Sequence, residues 1–468
     1  MARPQSSVPT VPASTTAALS CRISRRRFLG VLSATPLAAP ALLRSAAPNS
    51  KLQHACMGVG GMGAVDLENF RQHPRVEIVA LCDVDARFLK AAAAKVPGAR
   101  LYRDWRELLA AEGDRVDSIN VTVPDHMHFA IAYSAIQRGK HVYLQKPMCH
   151  DVAEVRKLTE AARAKKVITQ LGTQLASGAG DRTLVQWLHQ GVLGRVQHIY
   201  LSANRPGAVE AYRPAGPRPA QGQPPPPHLD WDLWLGTAPE RPYAPDLYHP
   251  VKWRGWLDFG TGWSGDIGCH IFDPLWKGLD LQPPKSVIAR VQESWKQSPA
   301  RRADTWPQAN HITWVFPGNA ATGGQDLVVE WFDGDFWAPR EIRALYSIED
   351  YPPESAMIVG ERGALLHPLG RSPILLPEEG FKDVRRPRFD ERNHYHHFVD
   401  AILGGPMCES HFDQTGPMTE AVLLGTVAVQ FPDEKLEWDP QTLRIPNHPA
   451  AEKLLQRQYR KGWEVGGF

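Results

Sequence analysis

From residue 52 the chain alternates short apolar runs with segments whose apolar positions recur at helical spacing. Leu52–Met57, Val76–Cys82, Ala99–Tyr102, Ser118–Val123, His141–Gln145 and Val167–Leu171 are predicted strands, separated by predicted helices such as Ala86–Lys95, Trp105–Ala111, Phe129–Arg138 and Val152–Lys165. Near-continuous apolar strands with helices between them predict a parallel sheet covered on both faces, since a strand buried on both sides loses the alternation of a half-exposed one. Leu52–Met57 fits this least well, because Gln53 and His54 are polar in a strand expected to be buried.

Past about residue 175 the pattern changes. Asp181–Gln190 predicts a helix and His198–Ala203 a strand, after which Arg213–Pro227 packs seven prolines into fifteen residues and reads as an extended loop. Ser286–Val291, Asn310–Phe316, Leu327–Trp331, Ala356–Gly360 and Ala364–Pro368 then predict a mostly antiparallel sheet, and Tyr395–Leu403 and Met418–Val429 predict closing helices.

The 468 residues carry 53 Lys+Arg against 50 Asp+Glu, a formal charge of +3. Six of the basic residues and no acid lie in residues 1–47, so the body is mildly acidic, without the basic stripe of a nucleic-acid binder. Within that leader, Ser24-Arg25-Arg26-Arg27-Phe28-Leu29 precedes an apolar run and the small residues Ser45-Ala46-Ala47. This order matches a twin-arginine export signal over residues 1–47 and implies a periplasmic or otherwise exported protein that meets the twin-arginine translocase. No later run approaches 18 apolar residues, so no stable membrane insertion is expected. The six cysteines are far apart with no C-x-x-C, and His394, His396 and His397 have no acidic or thiolate partner at ligand spacing. Neither a disulfide framework nor a metal site is expected.

Gly58-Val59-Gly60-Gly61-Met62-Gly63 is a G-x-G-x-x-G run between a predicted strand and a predicted helix, and Asp83 follows twenty residues later at the end of the next strand. Glycines there permit the tight turn and the close approach of backbone to a pyrophosphate, while the acidic side chain takes the ribose hydroxyls and repels a 2′-phosphate. The expected fold class is therefore α/β. A Rossmann-type parallel-sheet domain over residues 50–175 binds NAD, followed by an α+β domain over 176–430 with an open, mostly antiparallel sheet and a C-terminal tail over 431–468. Gly58, Gly60, Gly61, Met62, Gly63 and Asp83 are the expected cofactor contacts. Pro124, His128 and Lys146 join them because the runs 121–128 and 143–147 fall at strand ends, where open α/β sheets bind ligands. Asp85 reads as a helix N-cap.

These features resemble the Gfo/Idh/MocA family, named for glucose-fructose oxidoreductase and inositol dehydrogenase, over about residues 52–430. Gln145-Lys146-Pro147 is similar to its Glu-Lys-Pro motif and Asp266-Ile267-Gly268-Cys269-His270 to its Asp-x-x-x-His motif. Gln145 departs from the motif and removes a charge beside Lys146. The resemblance implies a nicotinamide cofactor, a sugar or polyol substrate and a homo-oligomer, dimer or tetramer, formed through the open sheet. On a helix, residues four apart share one face, so Asp266 and His270 point the same way. In the expected mechanism His270 removes the hydroxyl proton, Asp266 orients the imidazole or binds a neighbouring hydroxyl, and Lys146 stabilises the developing alkoxide. Arg254 and Trp263 are the expected substrate contacts, in a stretch dense in tryptophan from Trp231 to Trp276.

Free nicotinamide nucleotide is not supplied outside the cytoplasm, so an exported dehydrogenase needs a retained cofactor. The leading expectation is thus an NAD-dependent oxidoreductase acting on a sugar or polyol hydroxyl. A redox-neutral NAD-dependent glycosidase and a non-catalytic sugar-binding protein are the alternatives.

Overall fold

The computed structural model describes residues 51–206, 218–334 and 336–467, and the leader with its twin arginine lies outside them. Strands β1 (Leu52–Met57), β2 (Val76–Cys82), β3 (Arg100–Tyr102), β4 (Ser118–Val121), β5 (His141–Leu144) and β6 (Thr169–Leu171) form a sheet in the order β3-β2-β1-β4-β5-β6. Every pairing in it is parallel. Helices α1 (Met62–Gln72), α2 (Ala86–Lys95), α3 (Trp105–Glu112), α4 (Asp125–Gln137) and α5 (Val152–Lys165) supply the crossovers. The order reverses between β1 and β4, which opens a crevice beyond their C-terminal ends.

The odd polar residue of β1 has a physical account. Buried His54 places Nδ1 2.7 Å from Ser118 Oγ and Nε2 3.1 Å from Asn120 Oδ1, both on the neighbouring β4. Burial lowers this imidazole to about 4, so it is neutral and needs no counter-ion.

The second sheet holds β7 (Val196–Ala203), β8 (Ser286–Val291), β9 (Asn310–Phe316), β10 (Leu327–Asp333), β11 (Glu354–Gly360), β12 (Gly363–Pro368), β13 (Ile374–Leu376) and β14 (Leu436–Glu437), in the order β13-β12-β11-β7-β10-β9-β8-β14. Only β7 and β10 pair in parallel. In β9, buried and half-buried residues alternate strictly, the mark of a sheet covered on one face only. Helices α6 (Ala179–His189), α7 (Gly262–Gly278), α8 (His394–Ile402) and α9 (Phe412–Gln430) complete the larger elements, and α9 packs against α5, α7 and β8.

Two helices begin a full turn or more earlier than the sequence pattern suggests. α4 starts at Asp125, directly after Pro124, rather than at Phe129, so Asp125, His126 and His128 are first-turn helix residues and not turn residues. α9 starts at Phe412 and runs through Pro417. There the missing N–H forfeits one bond near the start of a long, buried helix, where packing outweighs it. Residues after 431 fold back onto both parts of the chain. β14 pairs with β8, and Arg457 donates from Nη2 to Glu154 Oε1 at 2.9 Å and to Thr237 Oγ1 at 3.1 Å. Among the described residues no helix is long and apolar enough to cross a membrane. The five described cysteines are all buried and free.

Candidate active site

The glycine run sits between β1 and α1 at the crevice. Gly58 has φ +81°, and a Cβ on it would lie 2.1 Å from the Thr122 carbonyl oxygen. A Cβ on Gly63 would lie 2.2 Å from the Gly58 carbonyl oxygen, and one on Gly60 would meet the Phe88 ring at 2.2 Å. Asp83 is fixed at the end of β2 because its Oδ2 accepts from Val59 N at 2.8 Å and its Oδ1 from Asp85 N at 2.9 Å. Burial raises its carboxyl above the ordinary range. Asp85 caps α2, accepting from Arg87 N at 2.9 Å.

A cavity of about 420 Å³ runs from this loop to Lys146. Of the expected cofactor contacts, Gly58, Gly60, Gly61, Met62, Asp83, Pro124 and Lys146 line it. The residues fit a dinucleotide: side-chain-free backbone where phosphates approach, a carboxylate at the end of β2, and a cationic end at Lys146. Gly63 lies behind the wall, where it lets α1 pack on the loop. His128 is also behind it, with Nδ1 2.7 Å from the Pro147 carbonyl and Nε2 2.8 Å from the Val123 carbonyl. It braces the ends of β4 and β5 from beneath and does not face the cavity.

At the far end Lys146 Nζ forms an ion pair with Asp266 Oδ1 and lies 3.3 Å from the Asp266 carbonyl. Arg254 Nε is 3.4 Å from Asp266 Oδ2, and its guanidinium stacks on Trp253 at 4.3 Å. Arg254 lines the cavity while it pairs with Asp266. Asp266 and His270 share α7, as their spacing requires. The His270 ring is half-buried, its buried Nδ1 has no hydrogen-bond partner among the described residues, and it is not on the cavity wall. Burial and then the Lys146 charge lower it to about 3.

Gln145 lines the cavity and donates Nε2 to both oxygens of Asp66, at 3.0 Å each. Asp66, fully buried in α1, also accepts from Thr122 Oγ1 at 2.6 Å and Tyr395 OH at 2.8 Å. Burial raises it to about 6 against those hydrogen bonds. Gln145 is therefore the neutral hydrogen-bond partner of a buried carboxylate on α1. Gln145→Glu sets two carboxylates face to face and is expected to lower the melting temperature by several degrees. Asp66→Asn with Gln145→Glu reverses the polarity of the pair and is expected to recover most of that loss, as thermal melts of the three variants would show.

Trp263 is buried and donates its indole N–H to the Ala203 carbonyl at 2.7 Å, so it packs rather than lining the cavity. Of the tryptophan cluster, Trp256 packs on buried Arg241, whose guanidinium lies 5.6 Å from that ring centre and 4.6 Å from that of Phe259. His394 bonds Ser177 Oγ at 2.8 Å and the Leu171 carbonyl at 2.8 Å, and no metal cluster occurs among the described residues. The sequence reading placed the run 121–128 at the crevice without singling out Thr122 or Asp125, and missed Arg103, Trp105 and His249; all five are on the cavity wall. A Pro-Asp pair opening a helix could have signalled Asp125; His249 arrives from a loop distant in sequence and carried no local signal.

Residues 52–173 match the model described as the oxidoreductase family, NAD-binding Rossmann fold (Gfo/Idh/MocA), and residues 181–308 match its C-terminal alpha/beta domain, together more than half of the chain. A glycosyl hydrolase family 109 protein of Streptomyces niveus is 31% identical over 159 residues, 32% of each chain. Inositol 2-dehydrogenase 3 of Saccharopolyspora erythraea is 29% identical over 164 residues, 34% of this chain and 48% of its own. The chain thus matches only about a third to a half of the length of these curated relatives. Among solved structures, the WlbA dehydrogenase of Bordetella pertussis, in complex with NADH and UDP-GlcNAcA, superposes with a TM-score of 0.57 at 16% identity over 83% of this chain and 99% of its own. An inositol dehydrogenase homolog of Azotobacter vinelandii, complexed with NADH and myo-inositol, gives 0.54 at 16% identity over 83% and 98%. These likenesses establish the shared fold.

Proposed function

Because the chain belongs to the Gfo/Idh/MocA oxidoreductase family, we propose that it oxidises a sugar or polyol hydroxyl with NAD and keeps the nucleotide bound between turnovers. The observation that carries this reading is that the glycine cradle, Asp83 and Lys146 line one cavity, with Asp266 paired to Lys146 from behind that wall. NAD, when bound, supplies the hydride acceptor. Gly58, Gly60, Gly61 and Met62 would hold its phosphates and Asp83 its ribose. Asp266 holds Lys146 in a fixed direction, so the ammonium can donate to a substrate oxygen without reorganising as negative charge develops there. Arg254 adds a second cation on the same wall and binds a neighbouring hydroxyl. His270, neutral and one turn beyond Asp266 on α7, stands off the cavity wall.

Retention is supported by the segment that crosses the crevice. His249, Pro250 and Val251 line the cavity opposite the glycine loop, and His249 Nε2 lies 3.1 Å from Asp85 Oδ2. A separate stretch, 228–230, is also held at the end of β2, where Ala86 N donates to the His228 carbonyl at 2.8 Å and Asp230 N to the Val84 carbonyl at 3.0 Å. The twin-arginine leader supports export in the folded, loaded state. The half-exposed outer face of the second sheet, with His198, Glu330 and His311, supports a homo-oligomer of two or four chains.

Denaturing the purified protein and quantifying released nucleotide by chromatography is expected to give close to one NAD per chain. No nucleotide, together with no binding of added NAD, overturns the reading. Relatives named as glycosyl hydrolase family 109 proteins favour a second reading, redox-neutral cleavage of a glycoside. Release of nitrophenol from nitrophenyl glycosides would decide for it.

A further inference from the structure

The site holds a carboxylate that neither motif includes. Asp125 opens α4 at the end of β4, is 2% exposed, and lines the cavity beside Lys146 and Arg254. Its Oδ2 accepts from Thr261 N at 3.2 Å and Thr261 Oγ1 at 3.0 Å, while Oδ1 has no protein donor among the described residues. Thr261 immediately precedes α7, so these bonds fix Asp125 against the helix that carries Asp266. The charged groups around it are Asp266 on α7, Arg254 before that helix and Lys146 after β5; His126 and His128 on its own helix are buried and neutral.

We propose that Asp125, rather than His270, accepts the proton of the reacting hydroxyl. This rests on the oxidoreductase reading above. The hydroxyl O–H bond breaks, its proton forms an O–H bond at Asp125 Oδ1, and the carbon gives up hydride to the nicotinamide cofactor as the carbonyl forms. The geometry favours Asp125 because it stands on the cavity wall with a free oxygen, whereas His270 does not reach that wall.

The electrostatics agree. Burial, then the negative charge of Asp266, raises the Asp125 carboxyl to about 7, offset by Arg254, Lys146 and the Thr261 hydroxyl. A group near the working pH both takes up and releases a proton, while an imidazole lowered to about 3 is a weak base. In this arrangement Lys146 remains the donor to the developing alkoxide.

The test is the pH dependence of oxidation in the loaded enzyme, with infrared titration of the carboxyl band as a readout that needs no turnover. In the wild type kcat/KM is expected to rise with pH through about 7 as Asp125 ionises. Asp125→Asn, close to isosteric, is expected to lose that limb, the infrared band that titrates with it, and about a hundredfold in turnover. His270→Ala should keep the limb. Thr261→Val removes a hydrogen bond that favours the ionised form, and should move the limb to higher pH without abolishing it. A limb that persists in Asp125→Asn, or that vanishes only in His270→Ala, overturns the assignment. A protein that releases no nucleotide overturns the oxidoreductase reading instead, and the infrared titration then still reports whether Asp125 carries a proton near neutrality.

Discussion

Replacing Lys146 with methionine is expected to lower turnover by about a thousandfold while the protein still holds nucleotide, because most of the cradle lies elsewhere in the cavity. Removing one preorganised donor from the point where an oxyanion develops typically lowers turnover by about 10²–10³. Lys146 is the cation on this wall that the Asp266 carboxylate orients most directly, its Nζ also lying 3.3 Å from that residue's carbonyl. The substitution also leaves the buried Asp266 carboxylate with Arg254 at 3.4 Å as its nearest remaining cation. Part of any loss is then a stability effect of an imperfectly paired charge. The double variant Lys146→Met with Asp266→Asn separates the two: melting temperature should recover and turnover should not. Rapid-mixing measurement of a single turnover, alongside the nucleotide content of each variant, provides the check. Turnover within tenfold of wild type would remove Lys146 from the chemistry.

Gly58→Ala should destabilise the fold by about 3 kcal/mol or more and abolish nucleotide retention. The added Cβ would sit 2.1 Å from the Thr122 carbonyl oxygen, and φ at this position is +81°. Neither backbone can retreat easily, since Gly58 N donates to the Cys82 carbonyl at 2.8 Å and Thr122 N to the Met57 carbonyl at 2.8 Å. Gly61→Ala is the matched control. Its backbone, at φ +52° and ψ −119°, is also one that favours glycine, but nothing lies within 4 Å of the new atom, so only backbone strain of about 1–3 kcal/mol is expected, without the clash. Thermal melts of both variants, with released nucleotide measured for each, distinguish a steric requirement from a conformational one. Equal melting temperatures would contradict the steric account.

The elements that packing repeats along the chain were legible in advance. The boundaries of β1, β2, α2 and α5 coincide with the runs predicted from apolar spacing, as do those of β8 and β9. Two short strands were not: β13 spans three residues and β14 two, and neither stands in the strand-helix alternation that located the equally short β3 and β6. The helix starts at Asp125 and Phe412 were hidden by prolines, which mark a boundary on average and here stand just before or within the helix.

The candidate site divides in the same way. Local order determined the glycine turn, the acid twenty residues beyond it and the shared face of Asp266 and His270, because each depends on backbone conformation over a few residues. Whether a side chain faces the cavity depends on partners far away in the chain. His128 turns inward because the Pro147 and Val123 carbonyls meet its two nitrogens, and Gln145 reaches the carboxylate of Asp66 seventy-nine positions earlier. Asp125 joins Lys146 and Arg254 only when three separate segments converge on one wall. Such long-range contacts leave no period in the sequence, since they are fixed by the summed burial of the whole core and not by the residues between them.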